Sequence, residues 1–463
     1  MIMKRVFYPV RGILPFLGGA LLALVGADHA WAGGTLTLFS NPTPVNGDLF
    51  GFSVAEVGTD KFIVGAPGDD TAGTDAGAAY LFDLSGTLLR TYTSPVPVAD
   101  ENFGAIVTAV GTDKVLISAI QINESIPPTQ AGTSYLFDLN GTLLETFSNP
   151  NPSNGDFFGV AAALDPNTIV IGSAGDDADA ADGGRVYEFA IGGDGNPTQT
   201  FSDPTSTASD QFGFPMAALG ADRFVAGAQG ANTEAGELHV FDVTTGLLVQ
   251  TLQHPDSTFS LVISVSAFGP DHVLVGSEDF TVGTVAAAGG VFLFDIATGN
   301  ISLTIENPAP EFDDAFGIDV AALGTGRIAI GADLDNPGGL NNAGTVYLYD
   351  GSGTLIDTIN KPVPVAADEF GFSLAAVGTG ALVIGAPSGD ALDSFTGPGE
   401  VWVLTDLCPA DSNNNGTVNV TDLLALLAKW GPCSAPCPAD NTGDGNVNVT
   451  DLLALLAAWG ACP

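Results

Sequence analysis

Residues 50–92 read FGFSVAEVGTDKFIVGAPGDDTAGTDAGAAYLFDLSGTLLRTY. Four short runs in this stretch have the composition of β-strands. FGFSVAEVG comes first. FIVGAP at 62–67 is β-branched and ends in small residues, AAYLFD at 78–83 alternates aromatic and polar, and TLLRTY closes the unit. The turns VGTDK, GDDTAG and LSG separate them. Alternation with a period of two, punctuated by Gly, Asp and Pro, is the strand signal, and no helical period competes with it.

The unit recurs along the chain. Phe-Gly returns at Phe50, Phe103, Phe158, Phe212, Phe316 and Phe370, and Phe259-Ser260 reads as a degenerate copy, giving spacings of 53, 55, 54, 47, 57 and 54 residues. An acidic residue stands two before the Phe at Asp48, Glu101, Asp156, Asp210, Asp314 and Asp368, and Ser257 takes that place in the fifth unit. Seven supersecondary units at a near-constant period describe a repeat architecture. The seventh unit ends at EVWVLTD, 400–406, without a fourth strand, while GTLTLFSNP at 34–42 matches the fourth strand GTLLETFSNP at 141–150. An N-terminal strand that completes the last unit closes the ring and removes the free sheet edges of an open array. The sequence therefore predicts a mainly β protein, a seven-bladed β-propeller over 33–407.

These residues resemble the FG-GAP repeat of integrin α-type propellers and their bacterial relatives. The shared order is Phe-Gly, then Gly-Ala-Pro, then an aromatic strand. Full Gly-Ala-Pro occurs only at Gly65-Ala66-Pro67 and Gly385-Ala386-Pro387. Many such repeats carry a calcium loop between the first and second strands. Here that connection is a tight turn, as in VGTDK and LGTGR, with too few side-chain oxygens to surround Ca²⁺, so no calcium of that type is expected in the blades. The Phe of each Phe-Gly is expected to pack between blades. The acidic connections, including the pre-Phe carboxylates and Asp69, Asp70, Asp75, Asp176, Asp177 and Asp182, should open on one face, the face such propellers use for ligands. Two readings stand: a site for a cationic or metal-bridged ligand, or plain turn chemistry, in which Asp bonds its own backbone. The second is favoured.

The tail, 408–463, is a duplication: CPADSNNNGTVNVTDLLALLAKWGPC, then CPADNTGDGNVNVTDLLALLAAWGAC. Ca²⁺ takes six to eight hard oxygens, so a calcium loop offers oxygens at positions 1, 3, 5, 7, 9 and 12 around a Gly at 6. Asp411, Asn413, Asn415, Thr417 (through its carbonyl), Asn419 and Asp422 fit with Gly416. Asp440, Thr442, Asp444, Asn446 (through its carbonyl), Asn448 and Asp451 fit with Gly445. Two Ca²⁺ are expected, the second bound more tightly because its loop has three carboxylates against two. Cys408, Cys433, Cys437 and Cys462 allow three pairings. The equal spacing in a duplicated unit favours Cys408–Cys433 and Cys437–Cys462, and zinc is disfavoured because the cysteines lack paired CxxC spacing and accompanying His. A short helix should follow each loop. Leu423, Leu426, Leu427 and Trp430, like Leu452, Leu455, Leu456 and Trp459, share one face and are expected to pack helix on helix.

The tandem loop-helix resembles a type I dockerin, the module that docks secreted enzymes onto cohesins. The resemblance implies partner contact through Val420, Thr421 and Leu424, or equivalently through Val449, Thr450 and Leu453. The Cys clasps and the short connector GPCSAPCP depart from that pattern and leave the partner open between a cohesin-like and a cell-envelope protein.

Composition bounds the rest. The 463 residues hold 11 Lys plus Arg against 53 Asp plus Glu, a formal charge of −42. Nucleic acid and anionic membranes need clustered cations and are excluded as partners. Residues 1–32 have the form of an export signal: Lys4, Arg5 and Arg11, an apolar run from Ile13 to Val25, and a cut expected after Ala30-Trp31-Ala32. The mature chain is then secreted or surface-located, with no membrane span. His239, His254 and His272 occupy unrelated places in their units, and no GxSxG occurs. The reading is a secreted, non-catalytic binding, adhesion or scaffold protein, whose propeller presents loops to an extracellular protein or polysaccharide. A glycoside hydrolase carried on a dockerin and a structural surface-layer component are the alternatives. Hydrolysis of a polysaccharide panel would favour the former, and absence of a cohesin-like partner the latter.

Overall fold

The computed structural model describes residues 29–31, 34–120, 131–230, 236–253, 263–324, 326–378, 380–389, 397–405, 410, 417–432, 446–457 and 459–461. Its strands up to Thr405 form seven antiparallel sheets, each wound from an innermost to an outermost strand, and the tail adds two small two-stranded sheets. The first blade runs Ser53–Val57, Lys61–Ala66, Ala78–Asp83 and Leu88–Thr93. The other innermost strands are Phe103–Val110, Phe158–Asp165, Phe212–Ala218, Ser264–Ala267, Phe316–Leu323 and Ser373–Val377. Helices, where described, are confined to the tail and one short 3₁₀ turn at Pro337–Gly339. Among the described residues no helix is long and apolar enough to cross a membrane.

The ring closes as expected. Strand Gly34–Ser40 pairs antiparallel with Glu400–Thr405, from Thr35 opposite Thr405 to Ser40 opposite Glu400, and supplies the seventh blade's fourth strand. His29–Trp31 adds a short fifth strand against Gly34–Leu36, and the cut expected before Gly33 would remove it. The remainder of the expected signal, residues 1–28, lies outside the described residues.

The core lies between blades. One cluster joins Phe50, Phe62, Val64, Tyr80 and Phe82 of the first blade to Val377, Val383, Val401 and Val403 of the seventh. Each Phe of Phe-Gly described is completely buried. Phe50 meets Phe82 edge-on with ring centroids 6.0 Å apart, as Phe103 meets Phe137 and Phe158 meets Phe189. Such a pair adds about 0.5–1.5 kcal/mol to the burial of its rings. The same Phe bridges the preceding blade, Phe103 to Gly77 and Phe212 to Gly184.

The two glycine motifs explain each other. A Cβ on Gly65 would lie 1.9 Å from the carbonyl oxygen of Gly104, and one on Gly276 would lie 2.0 Å from that of Gly317. The Gly of Gly-Ala-Pro is thus the floor on which the next blade's Phe-Gly turn sits. The second blade has Ser118 there, and its Oγ donates to the Gly159 carbonyl at 2.8 Å. In three blades a Ser on the innermost strand makes a similar bond to the next blade: Ser53 to Gly104, Ser264 to Gly317 and Ser373 to Gly51.

In the fifth blade Ser264 faces Gly276 as Ser53 faces Gly65 in the first. The expected degenerate copy, Phe259-Ser260, falls within residues 254–262, outside the described residues.

Candidate functional sites

The acidic connections come together on one face, as the propeller topology requires. There the chain before each Phe-Gly zips onto the loop of the preceding blade: Asp100 N to Thr74 O, Asn102 N to Asp75 O and Phe103 N to Ala76 O, with Ser209, Gln211 and Phe212 repeating the pattern on Ala181, Asp182 and Gly183. Along this zipper the residue before Phe lies in left-handed backbone, with φ of 56° at Asn102 and 57° at Gln211. Non-Gly residues adopt that conformation at a cost of order 1–3 kcal/mol each, and it persists here because the zipper over-determines it.

The pre-Phe carboxylates lock this connection. Asp48 Oδ2 accepts from Asn41 Nδ2 at 2.8 Å and Val45 N at 2.7 Å. Asp156 takes Asn149 and Ser153, and Asp314 takes Asn307 and Glu311, in the same arrangement. In the fourth blade Asp210 accepts from Thr207, and Asp203 stands in the Asn place, 3.5 Å from the buried His239. In the seventh, Lys361 replaces the Asn and bridges Asp368 at 3.1 Å and Glu400 at 2.7 Å. Asp48, Asp156 and Asp314 are essentially unexposed, and the Oδ1 of each has no hydrogen-bond partner among the described residues. Burial pushes their carboxyls up, to about 7 for Asp48 and about 6 for Asp156 and Asp314. Backbone amides oppose the rise, while the neighbouring loop acids reinforce it.

The loop acids are also engaged. Asp69, Asp176 and Asp335 accept the hydroxyls of Tyr80, Tyr187 and Tyr347 at 2.5, 2.5 and 2.7 Å. Asp70 accepts from Asp75 N, and Asp177 from Asp182 N. Turn and loop-locking chemistry thus accounts for the acids singled out in the sequence. Among the described residues, no group of three or more acid, His or Cys side chains is placed to hold a metal.

The tail places its predicted residues differently. Helix α1 spans Val420–Ala428 and helix α2 spans Val449–Ala457. Asn419 caps α1, accepting from Thr421 N, while Asp422 accepts from Asn419 N at 2.9 Å. Asn448, Thr450 and Asp451 repeat this at α2. Loop positions 9 and 12 therefore converge at a helix start twice, with Asp422 and Asp451 fully buried. Two small ladders interlock the halves: Thr417-Val418 pairs with Gly460-Ala461, and Gly431-Pro432 with Asn446-Val447. Each half's loop end is held by the other half's exit strand. Asp411, Asn413, Asn415, Asp440, Thr442, Asp444, Cys408, Cys433, Cys437 and Cys462 lie outside the described residues.

The expected helix-on-helix face is only half right. Leu426 and Leu455 are buried with Val418, Val447 and Ala410, and Leu423 and Leu452 pack against them. Leu427, Trp430, Leu456 and Trp459 are instead about half exposed. At about 100° per residue, Val420, Leu424 and Leu427 form a second stripe roughly a quarter-turn from Leu423 and Leu426, and Trp430 lies beyond the end of α1. Val420 and Leu424 are 58% and 61% exposed, and Val449 and Leu453 are 57% and 61%, so the two stripes are near-identical and open to solvent.

Sequence reading passed over two further acids. Glu56 and Asp319 stand on innermost strands, in the lining of the axial channel. The available signal was a break in the repeat. Asp319 replaces the Ser of Ser53 and Ser373, and Glu56 stands where other blades have Ala109, Ala218, Ala322 and Ala376.

The FG-GAP repeat model matches the chain at residues 44–82, 146–189 and 310–349. These spans fall on the first, third and sixth blades, the ones that combine the Asn–Asp lock with the Asp–Tyr bond. The chain thus carries FG-GAP repeats in a seven-bladed propeller, an architecture suited to ligand binding or adhesion. No curated protein matches it.

Proposed function

We propose that this is an exported, non-catalytic binding protein that attaches to a cohesin-like or cell-envelope partner through its tail, with the propeller as a rigid ligand-presenting body. The observation that carries this reading is the duplicated exposed stripe, Val420, Leu424, Leu427 and Trp430 on one half and Val449, Leu453, Leu456 and Trp459 on the other. Soluble domains rarely leave contiguous apolar patches open unless something covers them. Ca²⁺ would be held by the twelve loop positions named above, where it would fix the loops that start α1 and α2. Asn419 and Asp422, with Asn448 and Asp451, fit that role, because a side-chain cap and a buried carboxylate already meet at each helix start. Thr421 and Thr450, in the first turns, complete the docking surface. The cysteines would clasp each half.

The test uses the full mature chain on beads, challenged with envelope and secreted fractions of the source cells, in calcium and in chelator. The expected result is a partner retained only with calcium and lost from Leu424→Asp/Leu453→Asp. Retention that ignores calcium and survives both substitutions would overturn the reading. Release of reducing sugar from a polysaccharide panel would overturn its non-catalytic part.

A further inference from the structure

The innermost strands of all seven blades enclose a cavity of about 440 Å³ on the propeller axis. That is the size range of small-molecule sites, about 300–1,000 Å³. On the acidic-loop side it is floored by Phe52, Val160, Phe214, Ile318 and Phe372, each two residues after a Phe-Gly Phe, and by Ile263 of the fifth blade, all less than a tenth exposed, with Ala105 in the second blade. Val160, Phe214, Ile263, Ile318 and Ala105 belong to one cluster that spans five blades, and Phe52 packs tilted against Phe372 with ring centroids 5.2 Å apart. Above this floor the wall mixes aliphatic side chains, among them Val54, Met216, Val265 and Leu374, with the hydroxyl residues Thr108 and Ser266.

Two carboxyl groups stand in that wall. Asp319 Oδ2 accepts from Leu374 N of the next blade at 2.7 Å, and Oδ1 from Val320 N at 2.8 Å. Glu56 lies three residues farther along its strand position, about 10 Å at strand rise, and interacts with the backbone of Gly378. Among the described lining residues there is no Lys, Arg or His. Desolvation raises the Asp319 carboxyl to about 7 and pushes up that of Glu56, although its side chain is more open to solvent. An ionised carboxylate withdrawn from water is costly unless a cation or hydrogen bonds compensate it. A bare metal ion would need six or more oxygens converging at one level, and the lining supplies carboxylates singly.

We propose that the channel binds a small organic ammonium ion, its charged head at Asp319 and its hydrocarbon body against Val54, Val265 and Leu374, with Glu56 adding to the field. This site is independent of the tail. The plain structural alternative is that Asp319 only ties the sixth blade to the seventh, as the Ser at the same place does elsewhere. Asp319→Ser separates the two, because Ser53, Ser264 and Ser373 show that Ser fits this junction and bonds the next blade.

The experiment titrates hexyltrimethylammonium, whose charge is fixed, into the full chain by calorimetry, with neutral hexanol as control. Saturable one-to-one binding is expected, weakened about tenfold or more in Asp319→Ser at an unchanged melting temperature. Binding should tighten about tenfold between pH 6 and pH 8, as a carboxyl titrating near 7 ionises. Absence of saturation at millimolar concentration, equal affinity in Asp319→Ser, or equal binding of hexanol would each overturn the proposal. If Asp319→Ser melts lower, Glu56→Gln replaces it, with a smaller loss of affinity expected and an unchanged affinity counting against the site.

Discussion

In a blade, the residues that define the repeat are buried where two blades meet. Phe103 bridges Gly77, Gly104 sits on Gly65, and Asp48 ties Asn41 to Val45. In the tail, only part of the duplicated sequence goes inside. Leu426 and Leu455 are buried, whereas Leu424 and Leu453 stay open. The same device, repetition, serves assembly of the body in one region and leaves a doubled contact surface in the other. Propeller motif residues should therefore govern stability, and the tail stripe should govern contact.

The sharpest way to break that contrast is Gly65→Ala. Its methyl group would displace the Gly104 carbonyl, and overpacking of this kind costs about 1–3 kcal/mol. We expect the upper end of that range in the propeller's unfolding transition, and none in the tail's. Ser118→Gly, which restores the glycine of the other blades, should be near neutral. Equal effects of the two substitutions in denaturant titrations would mean that the blade contact is not what the Phe-Gly motif is for.

In the tail, Leu426→Ala should lower stability by about 2–4 kcal/mol through its cavity. Leu424→Asp should change it by less than about 0.5 kcal/mol, as exposed substitutions do. The same order in thermal melts, with partner retention lost only when Leu424→Asp is combined with Leu453→Asp, would sharpen the division. The reverse order would place the core on the wrong stripe.

A smaller effect distinguishes the blade junctions by pH. Asp48, Asp156 and Asp314 have folded pKa values raised to about 7, 6 and 6, against about 3.9 unfolded. The folded state then holds more protons than the unfolded one between pH 4 and 7, so these groups make stability fall as pH rises through that window. The turn acids Asp83, Asp138 and Asp350 are shifted down by bonds from their own turns, despite desolvation at Asp83, and lose their contribution only below the usual carboxylate range. A melting maximum near pH 4–6 is expected for the propeller, and Asp48→Asn should flatten its alkaline side. A melting temperature that climbs steadily to pH 8 would contradict this.

Most of the architecture could be read from the chain because the repeat states its own phase. GTLTLFSNP begins and ends like the fourth strand GTLLETFSNP, one residue shorter, so the closure onto Glu400–Thr405 followed from counting. The tail's inner and outer stripes were not separable, because a nine-residue helix with Leu at four places offers two apolar faces and periodicity does not choose between them. Asp319 and Glu56 escaped notice for the opposite reason. Each is a solitary departure from a pattern, and only the ring of seven strands brings them to one channel.

Calcium is proposed to order the tail and to leave the propeller alone. Scanning calorimetry of the full chain in calcium and in chelator separates the two. Ligand linkage supplies about 2.7 kcal/mol at a hundredfold excess over the dissociation constant. The account predicts two transitions, with chelator lowering or abolishing only the tail's. A propeller transition that moves with calcium, or a tail transition that does not, would contradict it.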